Sequence, residues 1–514
     1  MRIQKVPRKA LKFLLVLLLL CLAQAFFHPS VNPHTITRVM SSYSGGSTLG
    51  GPVPHESEPR WLKFQDPVRI ANALSFPADL KLTFTGIQCE QKRIKCYVLS
   101  DLHADAEKNQ AWVRENCFRR EEDSDVFTVF ILPGDIGSEI DRLESVFRVL
   151  VANYNAVVYT PGNHEAWRRG TAAGGSATRP ELRAENRMAA DSVVKIVEVV
   201  ECARACGVYV GPIRVEKSSG DGAGDGVGDG VGGESTALTV FPLYSWYHSG
   251  FDTEPDLDNE MYLAVEEVMP FDRKWGDFTM CGWPAELGLS HGDWASTART
   301  PGREDNTVLA EAFASLNEPF LLSPAPRLGS EETEGRGVRR RGVCAIPSVK
   351  DSDTIISFSH FLPRQELCPE KRFLIEPLLS RVIGSDPLEA QVRRLNPHLH
   401  LFGHTHIPID LKLEGIRYLQ WPLGYSREAD KQCAPIHAVG PLLVYDSACG
   451  VGAEAIPERL PSLSAAWTAY YSANRRDPSN SNLAPWLLQR LDSFSGMVRG
   501  NMRADASVES TSKH

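Results

Sequence analysis

Five times in this chain a short, near-continuous apolar run stops at a cluster of polar residues able to bind a ligand. Ile94 to Leu99 runs into Ser100-Asp101, and Val126 to Leu132 into Pro133-Gly134-Asp135. Ala156 to Tyr159 ends at Pro161-Gly162-Asn163-His164, Thr354 to Phe358 at Ser359-His360, and His398 to Phe402 at Gly403-His404. Runs this short and this uniformly apolar suit strands buried on both faces. The stretches 108–120 and 139–152 carry helical apolar spacing, so the pattern predicts βαβ units and a largely parallel sheet. Further strands are expected at Ala237 to Tyr244, Gly415 to Gln420 and Leu442 to Tyr445. Open α/β sheets bind ligands beyond the carboxyl ends of their strands, and every one of these clusters falls at such an end.

The residue types then narrow the chemistry. Asp101 and His103 stand two apart, and at strand spacing both side chains project to one side and can reach one metal ion. His404 and His406 repeat that geometry with two imidazoles. Asp135 follows a glycine that permits close backbone approach, Asn163 offers an amide oxygen, and His360 a further imidazole. Any one of these alone is more often a cap or a surface group. The ordered set, each member at a strand end, points to a metal site. Nitrogen and oxygen donors without thiolates suit Mn, Fe or Zn. Two carboxylates offset only part of the charge on two divalent ions, so a positive site remains that can attract a phosphate. Two metals about 3.5–4 Å apart can activate a water and clamp the attacking and leaving oxygens.

The segments SDLH (100–103), PGDIG (133–137), PGNHE (161–165), FSHF (358–361) and FGHTH (402–406) occur in this order. In this the chain resembles the calcineurin-like metallophosphoesterases over about residues 93 to 447. The segments 241–254 and 360–372 are similar to those of a plant and algal branch of that superfamily. The resemblance implies an α/β fold, a four-layer αββα sandwich with a central pair of mixed β-sheets. It implies that Asp101, His103 and His406 hold a first metal, that Asn163, His360 and His404 hold a second, and that Asp135 bridges them. His164 would act as acid or charge stabiliser. The implied cofactors are two divalent or mixed-valence ions (Mn, Fe or Zn), and the implied reaction is attack of a metal-bridging hydroxide on a phosphate mono- or diester. Three departures narrow the type. Ser138 stands where purple acid phosphatases carry a ligating Tyr, the VDRG and HGG motifs of the protein phosphatases are absent, and Glu165 replaces a common Asp, where a supporting role behind the ligands fits.

Three arginines near the motifs, Arg168, Arg169 and Arg364, could pair with a phosphate oxygen or simply form surface ion pairs. His248 is read as a satisfied core group rather than a cleft residue.

The net charge of −9 argues against a broad nucleic-acid-binding face. The expected partner is a small-molecule or nucleotide phosphate ester, with no stable nucleic-acid partner. A nuclease-like phosphodiesterase and a non-catalytic scaffold of the same fold are the competing readings. At the N-terminus, basic residues precede the apolar run Phe13 to Ala23, which leads into Ala23-Gln24-Ala25. That reads as a secretory signal over residues 1–25, with a signal-anchor as the alternative and no membrane span once the signal is removed. Residues 26–60 are poor in acids and rich in Ser and Thr, as in a transit peptide or a secreted tail. The expected destination is therefore a complex plastid or the cell exterior. The Gly-Asp-rich tract 218–235 reads as a flexible insertion rather than a calcium-binding repeat, 329–341 as a charged loop, and 448–514 as a partly disordered C-terminal extension. Eleven scattered cysteines are too sparse for a disulfide scaffold and read as mostly free, buried thiols.

Overall fold

Among the described residues, eleven strands form two mixed sheets in the computed structural model of the chain. It describes residues 60–64, 80, 82–118, 124–168, 189–218, 237–268, 270–287, 289, 295, 297, 307–321, 353–457 and 466–488. The strands are β1 (Thr85–Cys89), β2 (Arg93–Val98), β3 (Val126–Pro133), β4 (Ala156–Thr160), β5 (Ile213–Lys217) and β6 (Ala237–Pro242). They continue with β7 (Thr354–Phe358), β8 (Leu399–Phe402), β9 (Ile409–Leu413), β10 (Ile416–Gln420) and β11 (Leu442–Asp446). One sheet has the order β1-β5-β6-β7-β8-β10-β9 and the other β11-β2-β3-β4.

The apolar runs form strands because both of their faces are covered. Every residue of β3, β4, β6 and β8 is buried, as expected for strands that read as continuous hydrophobic runs. Pairing is parallel along β2-β3-β4 and β6-β7-β8-β10. The antiparallel neighbours are β5 with β6, β9 with β10, and β11 with β2. Residue pattern alone predicted one largely parallel sheet. The structure instead splits the strands into two mixed sheets, the architecture that the family resemblance implies.

Helices α1 (Glu107–Asn116), α2 (Ile140–Asn153) and α3 (Ser192–Ala205) pack on one another in sequence. The amphipathic α2 buries Leu143, Val146, Phe147 and Leu150. Helix α3 begins at Asp191, whose carboxylate accepts the Val194 N–H. Strand β1 lies upstream of the expected start at residue 93 because its backbone completes the edge of the larger sheet beside β5. Past residue 447, Ala455 and Ile456 belong to the main core, and Leu483 and Leu487 pack with Phe373 and Leu257.

The signal segment 1–25, nearly all of 26–60, the Gly-Asp tract beyond Ser218, the loop 329–341, Arg169 and everything after 488 lie outside the described residues. Among the described residues no helix is long and apolar enough to cross a membrane. Nine described cysteines are free thiols, all buried except Cys206 and Cys449.

What matters for the site is where the strands end. Strands β2, β3 and β4 of one sheet and β7 and β8 of the other deliver their carboxyl-terminal loops to one place. The end of β2 is clasped to the chain leaving β10: Ser100 N–H donates to the Trp421 carbonyl at 3.0 Å, and Leu423 N–H donates to the Ser100 carbonyl at 2.9 Å. Those bonds tie the two sheets together at the mouth.

Candidate metal centre

Asp101, His103, Asp135, Asn163, His360, His404 and His406 all converge and are all buried. Asp101, His103, Asp135 and His406 offer donor atoms within 4.8 Å of one another, and so do Asp135, His360 and His404. Asp135 belongs to both groups. Asn163 Oδ1 joins the second, 3.0 Å from both His360 Nε2 and His404 Nδ1.

Backbone conformation brings them together, and not by the route the spacing suggests. Strand alternation was expected to turn Asp101 and His103, and likewise His404 and His406, to one side. All four instead lie past the strand ends in the left-handed region, with φ of 54°, 43°, 78° and 54°. Asp135 is there too, at 53°. Non-glycine residues avoid that region at a cost of order 1–3 kcal/mol each, so such strain persists only where the surroundings enforce it. Here a ladder of backbone bonds does so. Asp101 N–H donates to the Gly134 carbonyl, His103 N–H to Asp135 and Ala104 N–H to Ile136. The Glu165 carboxylate then ties the loops after β3 and β4 together. It accepts backbone N–H groups from Asp135, Ile136, Gly137 and Gly162.

The imidazoles are aimed by bonds on their far sides. His360 Nδ1 sits 3.0 Å from the Pro133 carbonyl, His404 Nε2 3.0 Å from the Val382 carbonyl, and His406 Nδ1 2.9 Å from Glu428 Oε2. Each acceptor requires the proton on the ring nitrogen facing it, which leaves the other nitrogen as a lone pair pointing inward. Inside, His103 Nε2 and His406 Nε2 are 2.8 Å apart, and His360 Nε2 and His404 Nδ1 are 3.2 Å apart. Lone pairs that close repel unless a cation or proton lies between them.

Charge makes the same demand. Burial, then Glu165 and Asp101, raises Asp135 well above the usual carboxylate range. Burial opposes the ionised form of Asp101 as well, yet His406, His360 and the Ser100 hydroxyl hold it below its usual value. Burial pushes His360 down to about 4 and holds His103 and His404 well below the ordinary imidazole value. They are therefore neutral, as a ligating imidazole must be. Burial would lower His406 too, but Glu428 and Asp101 outweigh it and raise it to about 10. The two carboxylates that draw a proton onto His406 attract a metal cation by the same field. Among the described residues only histidines pair with Asp101 and Asp135. The donor set fits divalent cations.

His164 borders the centre. Its backbone N–H donates to Asp135 Oδ1 at 3.0 Å, and its Nε2 lies 3.8 Å from Asp135 Oδ2 and 3.3 Å from the Tyr425 hydroxyl. The ring stacks on Trp167 at 3.8 Å. A cleft of about 150 Å³ opens over Asp135, Asn163, His164, His404 and His406, walled by Trp167, Phe271, Trp275, Leu379 and Tyr425.

Of the three arginines weighed as phosphate groups, Arg168 and Arg364 do not line this cleft, and Arg169 lies outside the described residues. Arg364 pairs with Glu366 at 2.7 Å and Glu414 at 3.1 Å, with Glu389 at 3.7 Å, and it does not line the cleft. Arg168 lies against Gly282, where an added Cβ would meet its guanidinium at 2.9 Å. His248 is a buried core group, its Nε2 3.3 Å from Asp386. Sequence reasoning missed Asp277, Glu428, Tyr425 and Arg427. None belongs to a motif, and only the pairing of distant loops reveals them.

The two mixed sheets, flanking helices and metal-competent loops define a metal-dependent phosphoesterase hydrolase. Residues 94–268 match the Calcineurin-like phosphoesterase family, Metallophos, whose members usually bind divalent metals. No curated protein matches the chain. A crystal structure of a phosphopantetheinyl hydrolase from Mycobacterium tuberculosis aligns at 17% identity over 66% of this chain and 92% of that one, with a TM-score of 0.40. A likeness that weak bears on neither substrate nor mechanism.

Proposed function

We propose that the chain hydrolyses phosphate esters of small or medium-sized molecules at a centre of two cations. Asp101, His103, Asp135 and His406 would hold one cation, and Asp135, Asn163, His360 and His404 the other. The observation that carries this reading is the direction of the histidines. Three of them are fixed from behind so that an unprotonated nitrogen, or one whose proton a cation would replace, faces a shared space. A scaffold that binds no metal has no need of such aim.

Bound there, the cations supply neutralising charge and acidify the water that attacks phosphorus. The chain's own groups do the rest. Asp135 ties the two halves together. Asn163 presents its oxygen because its amide donates to Asp277 Oδ1 at 2.9 Å. His164, on the cleft side of Asp135, can donate a proton to the departing alkoxide or hydrogen-bond a phosphoryl oxygen. Tyr425 places a hydroxyl beside His164 Nε2 and can settle that proton's position. The aromatic walls exclude water and give the organic part of the ester a surface.

The test uses the full chain with Mn²⁺, Fe²⁺ or Zn²⁺, p-nitrophenyl phosphate and its bis ester. About two ions per chain are expected, with turnover abolished by chelation and by Asp135→Asn. An active, metal-replete Asp135→Asn protein would remove the shared role. A strong preference for the bis ester, extending to oligonucleotides, favours the nuclease-like reading. Full metal content with no turnover favours the scaffold.

A further inference from the structure

Tyr425 makes a contact that hydrolysis at the metal centre does not use. Its ring lies 4.1 Å from that of His103, close to parallel at 23°. The guanidinium carbon of Arg427 also lies 4.1 Å from the centre of the Tyr425 ring. One ring face cannot hold an imidazole and a guanidinium at that distance together. The arginine therefore takes the face turned away from His103. The order outward is metal cage, imidazole, phenol, guanidinium, and both Tyr425 and Arg427 line the cleft.

The charges along the cleft set Arg427 apart. Lys274, the other basic residue in the wall, is held by Glu376 at 2.8 and 2.9 Å. Glu428 accepts from His406 and from the Tyr425 N–H. None of the ion pairs among the described residues includes Arg427, and its Nε is buried without a hydrogen-bond partner. A guanidinium that is stacked, half-buried and unpaired beside a phosphate-binding centre is preorganised to take an oxyanion by two parallel N–H bonds. Stacking on Tyr425 holds the fork in place, so little side-chain freedom is lost when an anion binds.

We infer that Arg427 selects substrates carrying a second anionic group, a phosphate or a carboxylate, separated from the scissile phosphate by a spacer comparable to one ring. This rests on the phosphoesterase reading above and goes further by naming the substrate class. The apolar wall of Trp167, Phe271, Trp275 and Leu379 receives the spacer. Arg427 touches no group that changes bonding, so it determines specificity and leaves the chemistry to the cage.

Three probes test this with the metal-loaded full chain: phenyl phosphate, 4-carboxyphenyl phosphate and 1,4-phenylene bisphosphate. Wild-type kcat/KM should favour a doubly anionic probe by about 30-fold over phenyl phosphate, the worth of a charge-assisted bidentate contact. The carboxyl and bisphosphate arms show which anion is preferred. Arg427→Met should collapse that ratio to near one, and Arg427→Lys should restore part of it. A merely structural arginine would move all three rates together and leave the ratio alone. Equal wild-type rates on the three probes, or a preference that survives in Arg427→Met, overturn the inference. Should Arg427→Met not fold, a ratio unchanged in Arg427→Lys does the same. Failure to turn over even phenyl phosphate would instead strike the phosphoesterase reading.

Discussion

Asp277 decides which end of the Asn163 amide faces the histidines. Its Oδ1 accepts the Asn163 NH₂ group at 2.9 Å and the Trp167 indole N–H at 2.7 Å, while Oδ2 accepts the Tyr247 hydroxyl at 3.1 Å. An amide turned the other way would set donor against donor inside the cage. Burial raises the Asp277 carboxyl above its usual range, and four surrounding donors, Trp167, Asn163, Tyr247 and Trp275, oppose that. Asp277→Ala should therefore weaken binding of one cation by about 10- to 100-fold while sparing the other, as loss of a supporting residue typically does. Titration of the metal-free protein by calorimetry would show two classes of site where wild type shows tighter binding at both. Equal affinities in variant and wild type would mean that Asp277 does not orient Asn163.

Glu165 acts on the backbone. Four N–H groups from the loops after β3 and β4 converge on its two oxygens, and burial nonetheless pushes it up to about 7. Glu165→Gln would face some of those donors with a further NH₂ group, leaving buried N–H groups unpaired. That costs about 2 kcal/mol, or a Tm lowered by roughly 2–4 °C for a domain of this size. The loss should appear in the metal-free protein as well as the loaded one, because the contact is backbone packing. A Tm shift confined to the loaded state would contradict this account.

Much of this was legible in the sequence because strands buried on both faces cannot hide. The runs ending at Leu99, Leu132, Tyr159, Phe358 and Phe402 place every residue of the cage, and the resemblance supplies the two-sheet architecture that periodicity alone does not. Strands β1, β5 and β9 were missed because their short runs mix apolar with polar or charged residues and carry no continuous apolar signal. The partners behind the ligands were missed for another reason. Glu428 sits 22 residues from His406 and Asp277 sits 114 from Asn163. No local spacing encodes such pairings. For Arg364 the sequence left a phosphate contact and an ion pair both open, and in the fold three carboxylates, Glu366, Glu389 and Glu414, pair with it.

One of those carboxylates gives the fold a pH dependence separate from the metal site. Burial, only partly offset by Arg364 and Arg393, lifts Glu389 to about 7. A carboxyl whose folded value exceeds its unfolded one stabilises the fold most fully below the unfolded value of 4.5, and that contribution is lost as pH rises through about 7. Between pH 5 and 8 the loss amounts to about 2 kcal/mol. Glu389→Gln keeps an acceptor for Arg393, which now donates to Glu389 Oε1 at 2.9 Å, and cannot ionise. The variant should gain about 2 kcal/mol on wild type between pH 5 and 8 in denaturant titrations. Parallel pH profiles for the two proteins would refute the assignment to Glu389.

The cage also depends on what is missing from its glycines. Gly134 has φ +71°, and a Cβ there would lie 2.7 Å from the Gly162 nitrogen and 2.7 Å from His360 Nδ1. Neither neighbour can yield. The first is backbone that donates to Glu165, and the second is the nitrogen bonded to the Pro133 carbonyl. Gly134→Ala thus combines a left-handed conformation unsuited to alanine with a clash against two ordered groups, a cost of more than about 2 kcal/mol. His360 must turn, so metal content should fall with stability. Gly86 in strand β1 provides the contrast, since a Cβ there meets nothing within 4 Å. Gly86→Ala should leave metal content intact and raise stability by a few tenths of a kcal/mol to about 1 kcal/mol, because alanine restricts the unfolded chain. Thermal unfolding and elemental analysis of the two variants side by side separate a general intolerance of added bulk from a demand for close approach at the cage. If Gly134→Ala retained wild-type metal content, the tight turn at Asp135 would not be what positions His360.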